Sequence, residues 1–369
     1  MRVACHPSNH KLIDGVPALI AYHILCHDNF EQVARLLESL YSEDDVFLID
    51  IDDGKKPKTD GLGQWVQRDN VHVTRDSNIG WGGSGTLRKT MRGAFKLLEL
   101  DTKWSYYVVL SGQDLPLKSN SHIKSVLAQG AKEGTNFIRC FPAEHVDLDS
   151  LEINNKSEKT RMWGDRGHTK VYAKPGVINP QVCMYARTLV DVAEAGEDGA
   201  VYVGTVDPLL HKHREAFFNR YPFYTGANWF NLHRDLIEAM VNDAFTYELY
   251  AELKTTFIPD EAFFQTYIMN SRFRNSVSQN YGRLILRPGP VPKVKMFEME
   301  DWDAIKNCTE LYGRKFDTRH DHEIVNRVLA ARAESDDVVL ALDSSLPGDE
   351  AASNAAPKDR QTEKLANTA

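Results

Sequence analysis

The chain has 369 residues, 42% of them apolar, enough to bury a substantial core in one large or two ordinary domains. Its net charge of −8 disfavours a broad nucleic-acid-binding face, leaving room only for a local basic pocket. No apolar run approaches the ~18 residues of a membrane helix. The early run "PALIAYHILC" is short and carries a His, so neither a signal segment nor an integral anchor is expected.

The five cysteines, Cys5, Cys26, Cys140, Cys183 and Cys308, are widely spaced and show no CxxC or zinc pattern. Reduced, mostly buried thiols are expected, and with them a cytoplasmic setting that leaves room for peripheral attachment to a membrane.

Residues 1–16 read as an N-terminal extension. The bounded apolar run at 17–27 predicts a buried strand. Residues 30–41 predict a helix with Val33, Leu36, Leu37 and Leu40 on one face. A strand at 45–53 ends in acids, and "VHVT" from Val71 is a third. After a glycine loop, Thr86–Leu100 is amphipathic. Leu87, Met91, Ala94, Leu97 and Leu98 are expected inside, and Arg88, Lys89, Arg92 and Lys96 outside. A strand at 105–112, a helix near 121–129 and a strand at 135–141 follow. This alternation argues for a mostly parallel sheet with helices on both faces.

From about 142 to 220 the pattern dissolves around "RMWGDRGHTK", and an irregular substrate lid is expected. Then come "GANWFNL", a helix from Arg234, "IPDEAFFQT" with Pro259 in a first turn, and a short strand "RLILRP". Residues 17–342 read as a single domain, and 343–369, rich in Ala, Ser, Pro and charge, as a disordered tail.

Open parallel sheets take ligands at the carboxyl ends of their strands. The loop after the third strand holds Gly80, Gly82 and Gly85 in the spacing G-x-G-x-x-G. Arg75–Ile79 intervene between strand and first glycine, which spoils the tight dinucleotide turn. A P-loop fails too, because Thr86-Leu87 stands where Lys-Ser/Thr is required. Asp50-Ile51-Asp52 fits the Asp-x-Asp of metal-dependent nucleotide-sugar transferases, or simply caps the next element. His23 and His27 lie about 13 Å apart on a strand, too far to share a metal. In "SGQDLPL", Asp114 crowds a strand end that Pro116 stops. Asp260 and Glu261 stand at a helix start, where the dipole favours carboxylates and a rigid general base could be presented. Arg283 and Arg287 alternate with apolar residues in an acid-free stretch and would meet an anion on one face.

Together, and in this order, "FLIDID", "SNIGWGGSGTLRKTMRGAF", "SGQDLPLKS", "GANWFNLHRDL", "PDEAFFQT", "GRLILRP" and "GRKFD" resemble the core-2/I-branching β-1,6-N-acetylglucosaminyltransferase and protein xylosyltransferase family. The resemblance spans roughly residues 17–317 and fits a soluble, bacterial-type homologue. It implies a GT-A type fold: a Rossmann-like, mostly parallel α/β sheet carrying a UDP-sugar. Inverting, metal-independent transfer of N-acetylglucosamine or xylose to a hydroxyl of a glycan or glycoconjugate would follow, as in polysaccharide biosynthesis, with no cofactor beyond the donor. By this resemblance Glu261 is the catalytic base, and Arg283 and Lys315 hold the diphosphate. Arg287, Asp52, Trp81, Gly82, Gly83 and Asp114 are expected on the donor side. Chemistry alone suggests Arg161, Trp163, Arg166 and Trp229 for the acceptor. Two alternatives stay open: a metal-dependent transferase or hydrolase using Asp50 and Asp52, and a non-catalytic sugar-binding homologue.

Overall fold

Short apolar runs bounded by turn residues become the strands of a seven-stranded sheet. The computed structural model describes residues 18–52, 61–76, 84–100, 103–142, 190–195, 201–206, 216–254, 258–287 and 294–332. The first half alternates as the sequence predicts: β1 (Ile20–Cys26), α1 (Phe30–Leu40), β2 (Val46–Asp52), β3 (Val71–Asp76), α2 (Ser84–Leu100) and β4 (Tyr106–Ser111). These are followed by β5 (Asp114–Pro116), α3 (Asn120–Glu133), β6 (Asn136–Phe137) and β7 (Phe141–Pro142). The second half adds β8 (Val190–Ala195), β9 (Val201–Val206), β10 (Tyr224–Thr225), β11 (Asn231–His233), α4 (Arg234–Asn242) and α5 (Ala244–Leu253). A 3-10 turn at Pro259–Glu261 leads into α6 (Phe263–Met269), β12 (Val277–Ser278) and β13 (Arg283–Ile285). The described chain closes with α7 (Trp302–Lys306), β14 (Tyr312–Arg314) and α8 (His322–Ala331).

The main sheet runs β12-β6-β11-β4-β1-β2-β3. β1 pairs in parallel with both β2 and β4, and β2 with β3, whereas β11 is antiparallel to β4 and β6. Side-chain alternation along the strands feeds two cores. Ile20, Tyr22 and Ile24 of β1 join Phe47, Ile49 and Val108 beneath α1, α3 and α8. Ala21, Leu48, Tyr107 and Val109 join the opposite core beneath α2, α4 and α6. Burial on both faces explains why these strands read as unbroken apolar runs. The sheet is therefore mostly parallel with helices on both faces, a mixed α/β architecture of the GT-A kind.

Helix starts follow local chemistry. The Asn29 side chain accepts from the Gln32 amide, Ser119 caps α3, and Asp321 caps α8. The expected inward face of α1 is buried as predicted.

Three differences stand out. Lys89 was expected outside; it is 4% exposed, held inward by Asp50. The strand expected at 135–141 is split into β6 and β7, which join different sheets. Within the segment read as irregular, β8 and β9 pair antiparallel. Residues 1–16 and the tail from 343 lie outside the described residues. Among the described residues, no helix is long and apolar enough to cross a membrane.

Candidate active site

Beyond β4 the chain turns sharply through Ser111-Gly112-Gln113 into β5. Asp114 secures that turn: its Oδ2 accepts from the Ser111 amide at 2.7 Å and from the Ser111 hydroxyl. A three-stranded sheet, β13-β14-β5, then sits at this end of the main sheet. Its register sets Arg314 directly opposite Asp114 and next to Ile285. Arg314 Nη1 lies 3.7 Å from Asp114 Oδ2, beyond hydrogen-bond length. The guanidinium rests on the Trp229 ring, 3.9 Å from its centroid, a close cation–π contact.

Arg314 is enclosed. Burial lowers its pKa, while the carboxylates of Asp114 and Glu261 pull the other way. Glu261 is thus electrically part of the same cluster. Several buried polar atoms here make no hydrogen bond: Arg314 Nε and Nη1, Asp114 Oδ1, Asn228 Oδ1 and Gln265 Oε1. A buried group left unpaired costs about 1–3 kcal/mol, so such a concentration marks where a polar ligand would supply partners. These atoms come from the SGQD, GANW, PDEAFFQ and GRKFD segments, far apart in sequence.

Glu261 closes the 3-10 turn begun by Pro259 and is half-buried. Ile258, just before it, has φ 51° and ψ 54°, a left-handed conformation that a β-branched residue adopts only under constraint. Such strain costs about 1–3 kcal/mol and gathers at functional sites. The turn is fastened to the GANW segment. The Gly226 amide donates to the Glu261 carbonyl at 2.8 Å, and Gln265 Nε2 donates to the Ala227 carbonyl at 2.9 Å. Gly226 must be glycine, because a Cβ there would stand 1.9 Å from the Arg139 carbonyl oxygen.

Arg283, expected at the diphosphate, is held by protein partners in this structure. It is 3% exposed. Its Nη1 donates to Asn231 Oδ1 at 3.2 Å, its Nη2 to the Val109 carbonyl at 3.1 Å, and its charge lies 4.2 Å from the Tyr312 ring centroid. In this structure it braces β4, β11 and the small sheet from inside. Lys315, half-buried, follows Arg314 directly, whereas Arg287 is exposed past the end of β13. Asp52 ends β2 half-buried, and Trp229 is half-buried against Arg314. Trp81, Gly82, Gly83, Arg161, Trp163 and Arg166 lie outside the described residues.

Asp50, the first acid of the Asp-x-Asp pair, is committed elsewhere. Lys89 Nζ lies 2.8 Å from its Oδ1, and His23 Nε2 3.6 Å from its Oδ2. Burial alone would raise the Asp50 pKa; the bonds and charges of His23 and Lys89 outweigh it and hold the carboxyl below its ordinary value. His23 Nδ1 is 2.7 Å from the Tyr107 hydroxyl, which donates to the Thr90 carbonyl at 2.9 Å. Gly93 lets α2 lie against this network, since a Cβ there would be 2.1 Å from the His23 ring. Among the described residues, no three or more His, Cys, Asp or Glu side chains gather as a metal site.

Sequence reasoning noted the basic pair Arg314 and Lys315 but assigned only Lys315 a role, set Lys89 outside, and did not single out Asn228 or Gln265. The basic pair in GRKFD was the available signal for Arg314. Nothing in spacing reveals that Lys89 turns inward.

The sequence model of the family described as "Branch: Core-2/I-Branching enzyme" matches residues 20–161 and 199–323. Xylosyltransferase 1 of Rattus norvegicus is 28% identical over 163 residues, covering 41% of this chain and 19% of the relative. A β-1,3-galactosyl-O-glycosyl-glycoprotein β-1,6-N-acetylglucosaminyltransferase 4 of Danio rerio is 22% identical over 250 residues, covering 66% of this chain and 48% of the relative. The Mus musculus form is 21% identical over 295 residues, covering 79% and 55%. In each case the chain spans well under two-thirds of the relative's length. The family match runs through β1, the small sheet and every segment that meets at Arg314, and the chain belongs to the Core-2/I-Branching enzyme family.

Proposed function

We propose that this protein transfers a sugar from a UDP-sugar to a hydroxyl of a glycan or glycoconjugate, with inversion and without a metal. The observation that carries the reading is an enclosed, under-bonded Arg314 within electrostatic reach of the Glu261 carboxylate at the carboxyl end of a parallel sheet. In a single in-line displacement, Glu261 takes the proton of the acceptor hydroxyl as its oxygen attacks the anomeric carbon. The bond from that carbon to the leaving diphosphate breaks, and negative charge develops on the β-phosphate. Positioned general-base catalysis contributes roughly 10²–10⁴-fold.

Arg314 and Lys315 meet the leaving charge as fixed cations. Arg314 has Nε and Nη1 without internal bonds, donors on two edges of the guanidinium that phosphate oxygens could meet. Arg283 acts one layer deeper, holding Asn231 and the end of β4 in place. Asp114 keeps Arg314 oriented, and Asp52 lies on the nucleoside side. The relatives' names favour N-acetylglucosamine or xylose as the donor sugar.

A thermal-shift screen of UDP, UDP-N-acetylglucosamine and UDP-xylose tests the reading, because a ligand of the folded state raises Tm by mass action. We expect stabilisation by UDP and by at least one of the sugars. No shift with any uridine nucleotide overturns it. A shift that requires Mn²⁺ returns the chemistry to the Asp50 and Asp52 alternative.

A further inference from the structure

We propose that Arg139, Phe141 and Tyr281 form a subsite for a sugar ring bearing a carboxylate, placed beside Glu261 and receiving the acceptor. This deepens the reading above and rests on it for the identity of the acceptor side.

The first observation is exposure out of character. Phe141 is 41% exposed, one of only a few large apolar side chains so placed among the described residues. The second is an under-used cation. The Arg139 guanidinium lies 5.3 Å from the Phe141 ring centroid and 5.2 Å from that of Tyr281. Both are within the ~6 Å reach of a cation–π contact. Among the described residues, its side chain makes no hydrogen bond and no ion pair. The rings leave its edge N–H donors available, and that fork matches a planar carboxylate. The electron-rich face of Phe141 attracts the C–H hydrogens of a pyranose lying over it.

The third observation is location. β7 pairs with β10 so that Phe141 faces Thr225, the residue before Gly226. Gly226 in turn touches the Arg139 carbonyl and donates to the Glu261 carbonyl. Only backbone separates the platform from the turn that bears the base. On the other side, Tyr281 lies just before β13 of the small sheet, and its carbonyl accepts from Asn231 Nδ2 at 3.3 Å. A ring on this platform would rest close to the turn that bears the base, on the side where Phe141 is exposed.

The test compares 4-nitrophenyl β-D-glucuronide with its neutral partner, 4-nitrophenyl β-D-glucoside. Each is titrated by ligand-observed NMR with and without UDP, on wild type, Arg139→Gln and Phe141→Ala. We expect wild type to prefer the glucuronide by about tenfold, the scale of one charge-assisted pair. Arg139→Gln should reduce that preference to within about twofold and leave the glucoside unchanged. Phe141→Ala should weaken both sugars alike. UDP affinity serves as the control and should not move in either variant, and unchanged Tm shows that both fold. Equal affinities in wild type, or a preference that survives Arg139→Gln, overturns the subsite. A wild-type protein that ranks the sugars as expected yet binds no UDP keeps the subsite and overturns the donor reading instead.

Discussion

Two carboxylates stand at strand ends of this molecule and each faces a cation, yet the outcomes differ. Asp50 is gripped by Lys89 at 2.8 Å, with His23 behind it and Tyr107 behind that. Asp114 faces Arg314 at 3.7 Å, and both keep buried atoms without hydrogen bonds. The inner cluster pins α2 to β2 and β1; although His23 Nε2 and Asp50 Oδ1 also make no hydrogen bond, Lys89 stands at ion-pair distance from the carboxylate. The outer cluster is built from distant segments and left incomplete. A closed ion pair is a fastener, whereas an incomplete one implies a ligand that finishes it. The Asp-x-Asp motif belongs to the first kind and the SGQD motif to the second, although as sequence each reads equally well as a site.

The sharpest way to break this contrast is to disable chemistry in the outer cluster alone. Glu261→Gln keeps size but cannot accept a proton, so transfer should fall roughly 10²–10⁴-fold, with UDP affinity nearly unchanged. Turnover assays beside UDP titrations check this, and near wild-type turnover removes Glu261 as the base.

Next is the inner cluster. Lys89→Met leaves a buried carboxylate without its nearest cation and should cost about 3–5 kcal/mol of stability, read by urea unfolding. The folded fraction should still bind UDP. A variant that unfolds normally but loses UDP would make Lys89 part of the site and erase the distinction.

Arg314→Ala and Lys315→Ala should each weaken UDP by the loss of about 1.5–3 kcal/mol of charge-assisted bonding, while uridine binding stays level. Equal losses for uridine and UDP would make these cations structural. Arg283→Met should instead lower Tm first, since it strips partners from Asn231 and the Val109 carbonyl.

A smaller effect is expected from pH. The folded Asp50 carboxyl titrates below its unfolded value of about 3.9. Its stabilisation is therefore fully present above pH ~4 and is lost as pH falls through the depressed folded value. Acid unfolding of Asp50→Asn should show a shallower slope in that window. The smallest effect is expected from chelation. Excess EDTA should leave transfer nearly unchanged, because Asp50 is already occupied by an ammonium group and, on the proposed reading, fixed cations meet the diphosphate. Activity that vanishes with EDTA and returns with Mn²⁺ would contradict this.

Much of the fold was legible because strands buried on both faces announce themselves as apolar runs, as with β1, β2 and β4. Helix α1 and the onset of α4 at Arg234 were equally plain. The split of 135–141 into β6 and β7 was not, since one extended run can serve two sheets without any change in pattern. At the candidate site, Glu261 and Asp114 were singled out from motif context, and the structure sets both near Arg314. Arg314 was hidden because residues next to each other on a strand normally point oppositely, and which of Arg314 and Lys315 turns inward depends on register with β5. Arg283, expected at the diphosphate, was hard to place for the converse reason. A strand arginine looks like an anion ligand until the carbonyls and the Asn231 amide around it are known. Lys89 illustrates a third limit, because a charge on a helix reads as solvated unless its buried counter-ion is seen.

The small sheet that joins β5, β14 and β13 also bears on how the protein comes into being. Its middle strand arrives near the end of the described chain and pairs with a strand laid down in the first third. Pairings between such distant segments are among the slowest steps in folding, because the intervening loop must be closed before any contact rewards it. Arg314 cannot meet Asp114, Trp229 or Glu261 until that pairing forms. A chain ending before β14 carries no assembled site, and it also lacks Tyr312, Phe316, Ile324, Val325 and Val328 of the first core. On the proposed reading, assembly of the site is thereby tied to the pairing of β14 with β5.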